Sequence, residues 1–469
     1  MLCQPILDVI TAFQVEAGQF YTIGTIVRAL FMVACFVYTV LAAGRRKKWF
    51  SLIICLSMAF YCLIFLFLCY KRGGFSCAAG NIKEIIKLYY FPFVLLAFYL
   101  FYLDVGHLID RIILAYTGVI YMSVIFIGFV TGTGFDTYWS GGAGNKGWFH
   151  AANEVGVVIG MLAPVVVCYF SSRMANLTGS KRTWITLAGG VIGLGLVVFC
   201  SLFIGTKAVF LSVAGYVLCF LIWHIIEFVR RRQSGNRKQA LMAFAMCIAM
   251  GLLYLVSPLR ENVEGRMTFF YHKQVETSSS SAPASSQSSS SKTDSEISGN
   301  SSADSQASKP SSSAVSGFET SRLYRTANWL LSNRLNHSLP TIKTYVQSDM
   351  AGKLFGIGYV SYEGAPASIE RAMEMDFMTL LFRHGIVGLV LYLIPLLYFL
   401  FRVLKQVFVR FRKVWGSIWY CTYLYGLILG IGIAFFAGHV FTAPAVSLYV
   451  AVFLVLSEKQ IQKWQNEKG

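Results

Sequence analysis

The chain has 469 residues, of which 56% are hydrophobic, 15% aromatic and 13% charged, with a formal net charge of +18. A soluble domain carries about 25% charged residues, so this composition excludes one and indicates an integral membrane protein. Alternating ten-residue strands are absent, which leaves an all-α, polytopic helical membrane protein as the fold class.

A hydrocarbon core about 30 Å thick needs ~20 apolar residues per helix. Runs of that kind lie at 21–43, 49–70, 82–103, 110–131, 153–170, 183–204, 207–228, 239–257, 385–403, 418–439 and 443–456. Residues 2–20 (LCQPILDVITAFQVEAGQF) offer a twelfth span, with Asp8 and Glu16 weighing against it. Basic residues cluster in GRRKK (44–48), at Arg173, Lys181 and Arg182, in VRRRQSGNRK (229–238), in RVLKQVFVRFRK (402–413) and in the C-terminal tail. With twelve helices all of these fall on one side, which the positive-inside rule makes the cytoplasm. Topology therefore accounts for the net charge, and no nucleic-acid partner is expected. The loop at 71–87 is a discordant basic segment on the other side, where Lys83 and Lys87 would snorkel toward head groups. The cysteines show neither framework spacing nor a Cys-x-x-Cys pair, so no disulfide framework and no metal site is expected.

This count divides the chain into an N-terminal bundle (1–257), a large extracellular loop (258–384), and C-terminal helices with a cytoplasmic tail (385–469). Within the loop, 276–317 (ETSSSSAPASSQSSSSKTDSEISGNSSADSQASKPSSSAVSG) has too few large apolar residues to offset ordering entropy, and reads as a disordered insertion. From Phe318, Leu, Trp and Tyr recur at helical spacing, predicting amphipathic helices on the membrane face through 384.

Four features on the outer side carry possible chemistry. GGAGNKGWFHAANEVG (141–156) is a Gly-rich loop with Lys146, Trp148 and His150. It leads into a helix with Asn153 as cap and Glu154 on the positive end of the dipole; the plain alternative is a flexible turn before a helix. FIGTKAVFLS (203–212) sets Lys207 in a tight turn between two spans. A charge at the bilayer centre costs about 2.5 kcal/mol or more, so Lys207 either snorkels or faces an anion. The long loop bears Arg260, Arg266, Arg322, Arg325 and Arg334, then KLFGIGY (353–359) with Gly356 and Gly358. Arginine's planar fork suits phosphate oxygens, and Gly-x-Gly permits a sharp turn or a close backbone approach. Finally, MEMDFMTLLFRHGIVG (373–388) gathers charge before a span. On a helix Glu370 and Glu374 stack at i, i+4, while Asp376 lies nearly opposite and lines up with Arg383, so one carboxylate can be structural while another faces a cavity.

In this order the four features resemble the O-antigen ligase and polysaccharide polymerase family of bacterial membrane glycosyltransferases. GWFHAANEVG, the lone cation in SLFIGTKAVFLS, LLSNR (330–334) with LFGIGY, and the acidic stretch ending in Gly385-Ile386-Val387-Gly388 carry the resemblance. It implies glycan transfer from an undecaprenyl-diphosphate-linked oligosaccharide to an acceptor glycan, outside the cytoplasmic membrane and without metal or cofactor. The lipid bilayer and other polysaccharide-assembly proteins are the further expected partners, in capsule or cell-wall polysaccharide biosynthesis. On this reading Lys207, Arg266, Arg334 and Lys146 bind the diphosphate, and Trp148, His150, Asn153, Glu154, Gly356 and Gly358 position loop and substrate. Ligases carry a His followed by Asn, Ser or Gln ahead of their Gly-x-x-Gly. Here Glu374 and Met375 stand at those positions, so the resemblance implies a carboxylate base and a polymerase-like, Gram-positive member. Asp376 and Glu154 are the other candidate carboxylates, and Asp376 and Arg334 join Glu374 as catalytic candidates. Two other classes compete: a flippase for the same lipid-linked glycans, which would show related halves and short loops, and a non-catalytic scaffold of envelope assembly.

Overall fold

The computed structural model describes residues 1–19, 21–104, 110–138, 143–177, 183–264, 334–360, 373 and 375–466. The serine-rich insertion, Arg266, Arg322, Arg325, Glu370 and Glu374 lie outside the described residues. The chain divides into two compact units, Met1–Asn262 with His337–Gly469, and Val263–Asn336. The first holds the membrane helices.

The helices are α1 (Gln4–Glu16), α2 (Ile23–Arg45), α3 (Trp49–Asp104), α4 (Asp110–Val130), α5 (Ala152–Ala175), α6 (Thr183–Phe203), α7 (Lys207–Arg231) and α8 (Ser234–Tyr254). There follow α9 (Pro258–Glu264), then α10 (Arg334–Gln347), α11 (Met350–Phe355), α12 (Asp376–Val409), α13 (Phe411–Trp415), α14 (Ile418–Phe436) and α15 (Pro444–Asn466). Among the described residues nine helices are long and apolar enough to cross a membrane, or ten if α8 and α9, bent by 61°, form one crossing. The protein is thus a multi-pass, all-α membrane protein.

The 56-residue α3 is a hairpin. On a straight helix Tyr61 and Tyr89 would stand roughly 40 Å apart at 1.5 Å per residue, yet their ring centroids are 5.7 Å apart. The reversal falls at Gly73 and Gly74, where φ of +68° at Gly74 is a conformation that a side chain would resist. Arg46 Nη1 then donates to the Leu100 carbonyl at 2.9 Å, so the second arm returns to the end where the first began. The expected loop at 71–87 is therefore helical on both sides of that break, and each arm is a crossing in its own right.

A second break divides α12. Gly385 (φ 70°, ψ −177°) separates a short helix, 376–384, from the span proper, which starts where the apolar run predicts. The segment expected as a twelfth span forms α1, only 13 residues and hence ~20 Å long, too short for a full crossing. Its Asp8 carboxylate accepts from Arg28, Tyr121 and Gln4 Nε2, which seats α1 on α2 and α4.

Burial separates the centre of the bundle from its rim. In α5 and α15, 89% of the apolar window is buried, against 17% in α2, so the first two form the core and α2 presents its apolar surface to lipid. Small residues let the core helices approach. A Cβ on Gly160 would lie 2.8 Å from Leu429 Cδ2, and one on Gly426 would lie 2.3 Å from the Phe453 ring. Interhelical hydrogen bonds add to this: Tyr216 shares one with Thr422 at 2.8 Å, and Tyr425 donates to the Ser212 carbonyl at 2.6 Å. Because crossings alternate, the loops before α5, α7, α12 and α15 gather at the end opposite the Arg/Lys clusters.

Candidate functional site

Two backbone assemblies form at that end. The first joins the α4–α5 loop to the α6–α7 turn. Phe135 N donates to Gly147 O at 2.7 Å and Lys146 N to Phe135 O at 3.0 Å, folding the loop on itself. Its tip then pairs with the end of α6: Asn145 N donates to Phe203 O at 3.0 Å, and Thr137 Oγ1 to Ile204 O at 2.7 Å. A Cβ on Gly205, whose φ is +78°, would lie 2.4 Å from Ala143 O, so only glycine suits this junction. Asn262, from α9, closes it. Its Oδ1 accepts from Ala143 N at 2.9 Å, and its Nδ2 donates to the carbonyls of both Ala143 and Gly205.

This junction carries two of the predicted cations. Lys207 is exposed and opens α7 directly after Gly205 and Thr206. Thr206 is the N-cap residue, yet its side chain makes no capping bond. Lys146 is only 5% exposed. Burial pushes its pKa below the usual lysine value, while the nearby Glu16 and Asp136 carboxylates oppose that shift.

The other predicted residues of the loop hold it in place. Trp148 Nε1 donates to Thr133 Oγ1 at 3.0 Å, and His150 Nδ1 lies 3.2 Å from Glu16 Oε1 at the end of α1. Asn153, expected as the α5 cap, is instead an exposed residue of the first turn, and Ala151 takes the cap position with no side-chain bond. The chain is already extended at Ala151, so the helix begins before the asparagine does. Glu154 lies in the first turn, as predicted.

The second assembly surrounds LFGIGY. Ile357 N donates to Phe382 O and Gly358 N to Arg383 O, each at 3.2 Å. A Cβ on Gly356 would lie 2.1 Å from Arg383 O, so this glycine serves a close approach of backbone to backbone. Four side chains complete the clamp, among them Arg383, singled out in the sequence, and Arg72 and Asn81, which were not. Arg72, at the tip of the α3 hairpin, donates to Gly356 O at 2.7 Å. Asn81 accepts from Tyr359 N at 2.8 Å. Arg383, 1% exposed, donates to Gly358 O at 2.8 Å and stacks over the Tyr359 ring at 5.4 Å. His384 is fully buried; Tyr359 Oη stands 3.1 Å from its Nε2, and the Phe65 ring stacks on it at 4.7 Å. The signal for Arg72 was present in the sequence as the discordant basic segment; no pattern marked Asn81.

Asp376 has a third environment. Its Oδ1 accepts from His439 N at 3.0 Å and Thr442 Oγ1 at 2.8 Å, and its Oδ2 from Val440 N and Phe441 N, both at 2.8 Å. The carboxylate, 1% exposed, thereby organises the turn between α14 and α15. The register expected on one helix face places Asp376 and Arg383 in the same short helix, but the acid serves the α14–α15 turn and the guanidinium serves Gly358.

Arg334 opens α10, with its side chain outside the described residues, as are Arg266 and Glu374. Among the described residues no group of three or more His, Cys, Asp or Glu side chains is arranged to hold a metal ion. A family model described as O-antigen ligase like membrane protein matches residues 1–460. No curated protein and no solved structure matches the chain.

Proposed function

The chain belongs to the O-antigen ligase like membrane protein family, and from that premise we propose that it polymerises polyprenyl-diphosphate-linked glycan repeat units at the outer face of the bacterial cytoplasmic membrane. The observation that carries this reading is the setting of Lys207. An exposed ammonium opens a 25-residue helix whose cap side chain makes no bond, immediately after Gly205. The first N–H groups of a helix have no intrahelical partner and concentrate positive partial charge, so an anion docks there readily. The Thr206 hydroxyl oxygen beside them is buried and makes no hydrogen bond among the described residues, which suits a phosphate oxygen as acceptor.

The chemistry follows from the charges. The acceptor hydroxyl attacks the anomeric carbon of the donor glycan, and the bond from that carbon to the diphosphate oxygen breaks. Negative charge grows on the departing lipid diphosphate, where Lys207 stabilises it; Arg266 and Arg334 keep the diphosphate-binding role that the family resemblance implies. Lys146, buried beside Glu16 and Asp136, acts from behind by holding the loop. The hydroxyl proton must pass to a base, and Glu374 is the carboxylate proposed for it. Asp376 spends all four of its contacts on the α14–α15 turn and is assigned a supporting role. Glu374, at the place where ligases carry their His, favours polymerase over ligase.

The test is gel analysis of surface polysaccharide and lipid-linked intermediates from a strain lacking the protein and from one with Lys207→Ala. Single repeat units accumulating on the carrier in both strains support the proposal. Full-length unattached polymer points to a ligase, and intermediates trapped on the cytoplasmic side point to a flippase.

A further inference from the structure

We infer that Asn262 is a positioning residue for the diphosphate site, acting through the Gly205–Thr206–Lys207 turn. The inference rests on the diphosphate reading of Lys207 but concerns a residue on a different helix, whose three hydrogen bonds run to backbone groups. The Asn262 side chain treats Ala143 as a strand neighbour would, accepting from its N–H and donating to its C=O, and its remaining amide hydrogen reaches Gly205 O at 2.9 Å. One planar amide therefore fixes the spacing between the α4–α5 loop and the residue two positions before Lys207. It also occupies the Gly205 carbonyl, directing that oxygen to α9 and away from the start of α7.

The close approach makes the amide hard to replace. A Cβ on Gly205 would stand 2.9 Å from Asn262 Nδ2 and 2.4 Å from Ala143 O, so the junction has no slack. From the loop side Tyr138 Oη donates to the same Gly205 carbonyl at 3.4 Å, and Thr137 Oγ1 donates to the neighbouring Ile204 O at 2.7 Å. Among the described residues Asn262 is the side chain that bonds both sides of the junction from a third element. Asn262→Asp keeps the shape but replaces the donor by an oxygen facing the Ala143 and Gly205 carbonyl oxygens, so both amide hydrogen bonds are lost and oxygen faces oxygen. The turn must then open, and Lys207 moves with it.

A double-mutant cycle tests this on the full-length protein in lipid nanodiscs, with undecaprenyl diphosphate as the titrated probe and thermal melting as a control for folding. Lys207→Ala and Asn262→Asp are each expected to weaken binding by about tenfold. Together they should weaken it no more than Lys207→Ala alone, because Asn262 acts through that lysine. Losses that multiply in the double variant would overturn the positioning role while leaving the diphosphate reading intact. No loss in Lys207→Ala would sink the diphosphate reading, and this inference with it. If Asn262→Asp melts far below the parent, Asn262→Ala, which removes the donor without repulsion, carries the same cycle. A further readout separates positioning from general support: with turnover measured, Asn262→Asp should raise KM for the lipid-linked donor more than it lowers kcat.

Discussion

Tyr61 donates its phenolic hydrogen to the carbonyl of His384 at 2.6 Å. That carbonyl is the last before Gly385, whose φ of +70° ends one helix and starts the next. Tyr61 thereby ties the first arm of the α3 hairpin to the break. A Cβ on Gly385 would also lie 2.4 Å from Leu354 O. Gly385→Ala should therefore cost the positive-φ penalty of about 1–2 kcal/mol plus a backbone clash. Tyr61→Phe should cost about 0.5–1.5 kcal/mol by removing one buried hydrogen bond. Thermal unfolding in detergent would rank the two, with Gly385→Ala the more damaging; parental stability in Gly385→Ala would show that the break is not required.

The four contacts to Asp376 lead to a different kind of prediction. In Asp376→Asn one acceptor oxygen becomes an NH2 group that faces donors of the 439–442 turn. Stability should fall by more than about 2 kcal/mol, and polymer synthesis should fall with it. A group acting as the base would lose synthesis at full thermal stability, and that pattern would return Asp376 to the catalytic list.

For Glu374 the expectation is the reverse. Glu374→Gln should abolish chain elongation while the membrane level and melting midpoint of the protein stay at parental values, and Arg334→Lys should do the same because Lys lacks the planar fork. Short lipid-linked units should accumulate in both. Normal polymer length in both variants would remove them from the mechanism.

Deleting 278–316 from the serine-rich segment should leave activity largely intact. Shortening a flexible loop changes its closure entropy by only about 0.6 kcal/mol per halving of length. The measurement is polymer length against protein level on immunoblots; complete loss of synthesis at a normal level would give the segment a specific role.

Much of this protein was legible from composition and period alone. Long apolar runs must become helices in a bilayer, because no water is there to satisfy the backbone, so the spans at 21–43 through 443–456 follow from local hydropathy. The start of the span at Gly385 was legible for the same reason. The four site stretches were visible as polar or glycine-rich exceptions to that pattern, and their order along the chain carried the family resemblance. Side-chain assignments were less secure, because they depend on partners distant in sequence. Asn153 yielded the α5 cap position to Ala151 because the chain turns extended there, and Gly356, read as allowing a sharp turn or a close backbone approach, has Arg383 O as the backbone it approaches.

What only the tertiary structure decided is which polar groups are already taken. Sequence spacing set Asp376 and Arg383 on one helix as possible partners, but their strongest hydrogen bonds run to Val440 and Phe441 on one side and to Gly358 on the other. Arg72, a discordant charge in the linear chain, becomes a backbone clamp once Gly73 and Gly74 fold α3 into a hairpin. Asn262 has no sequence signature, since its role consists of three hydrogen bonds to residues more than fifty positions away. Local hydropathy determines where a chain enters the membrane; the pairing of buried donors with acceptors is a property of neighbours in space, and only the folded bundle supplies them.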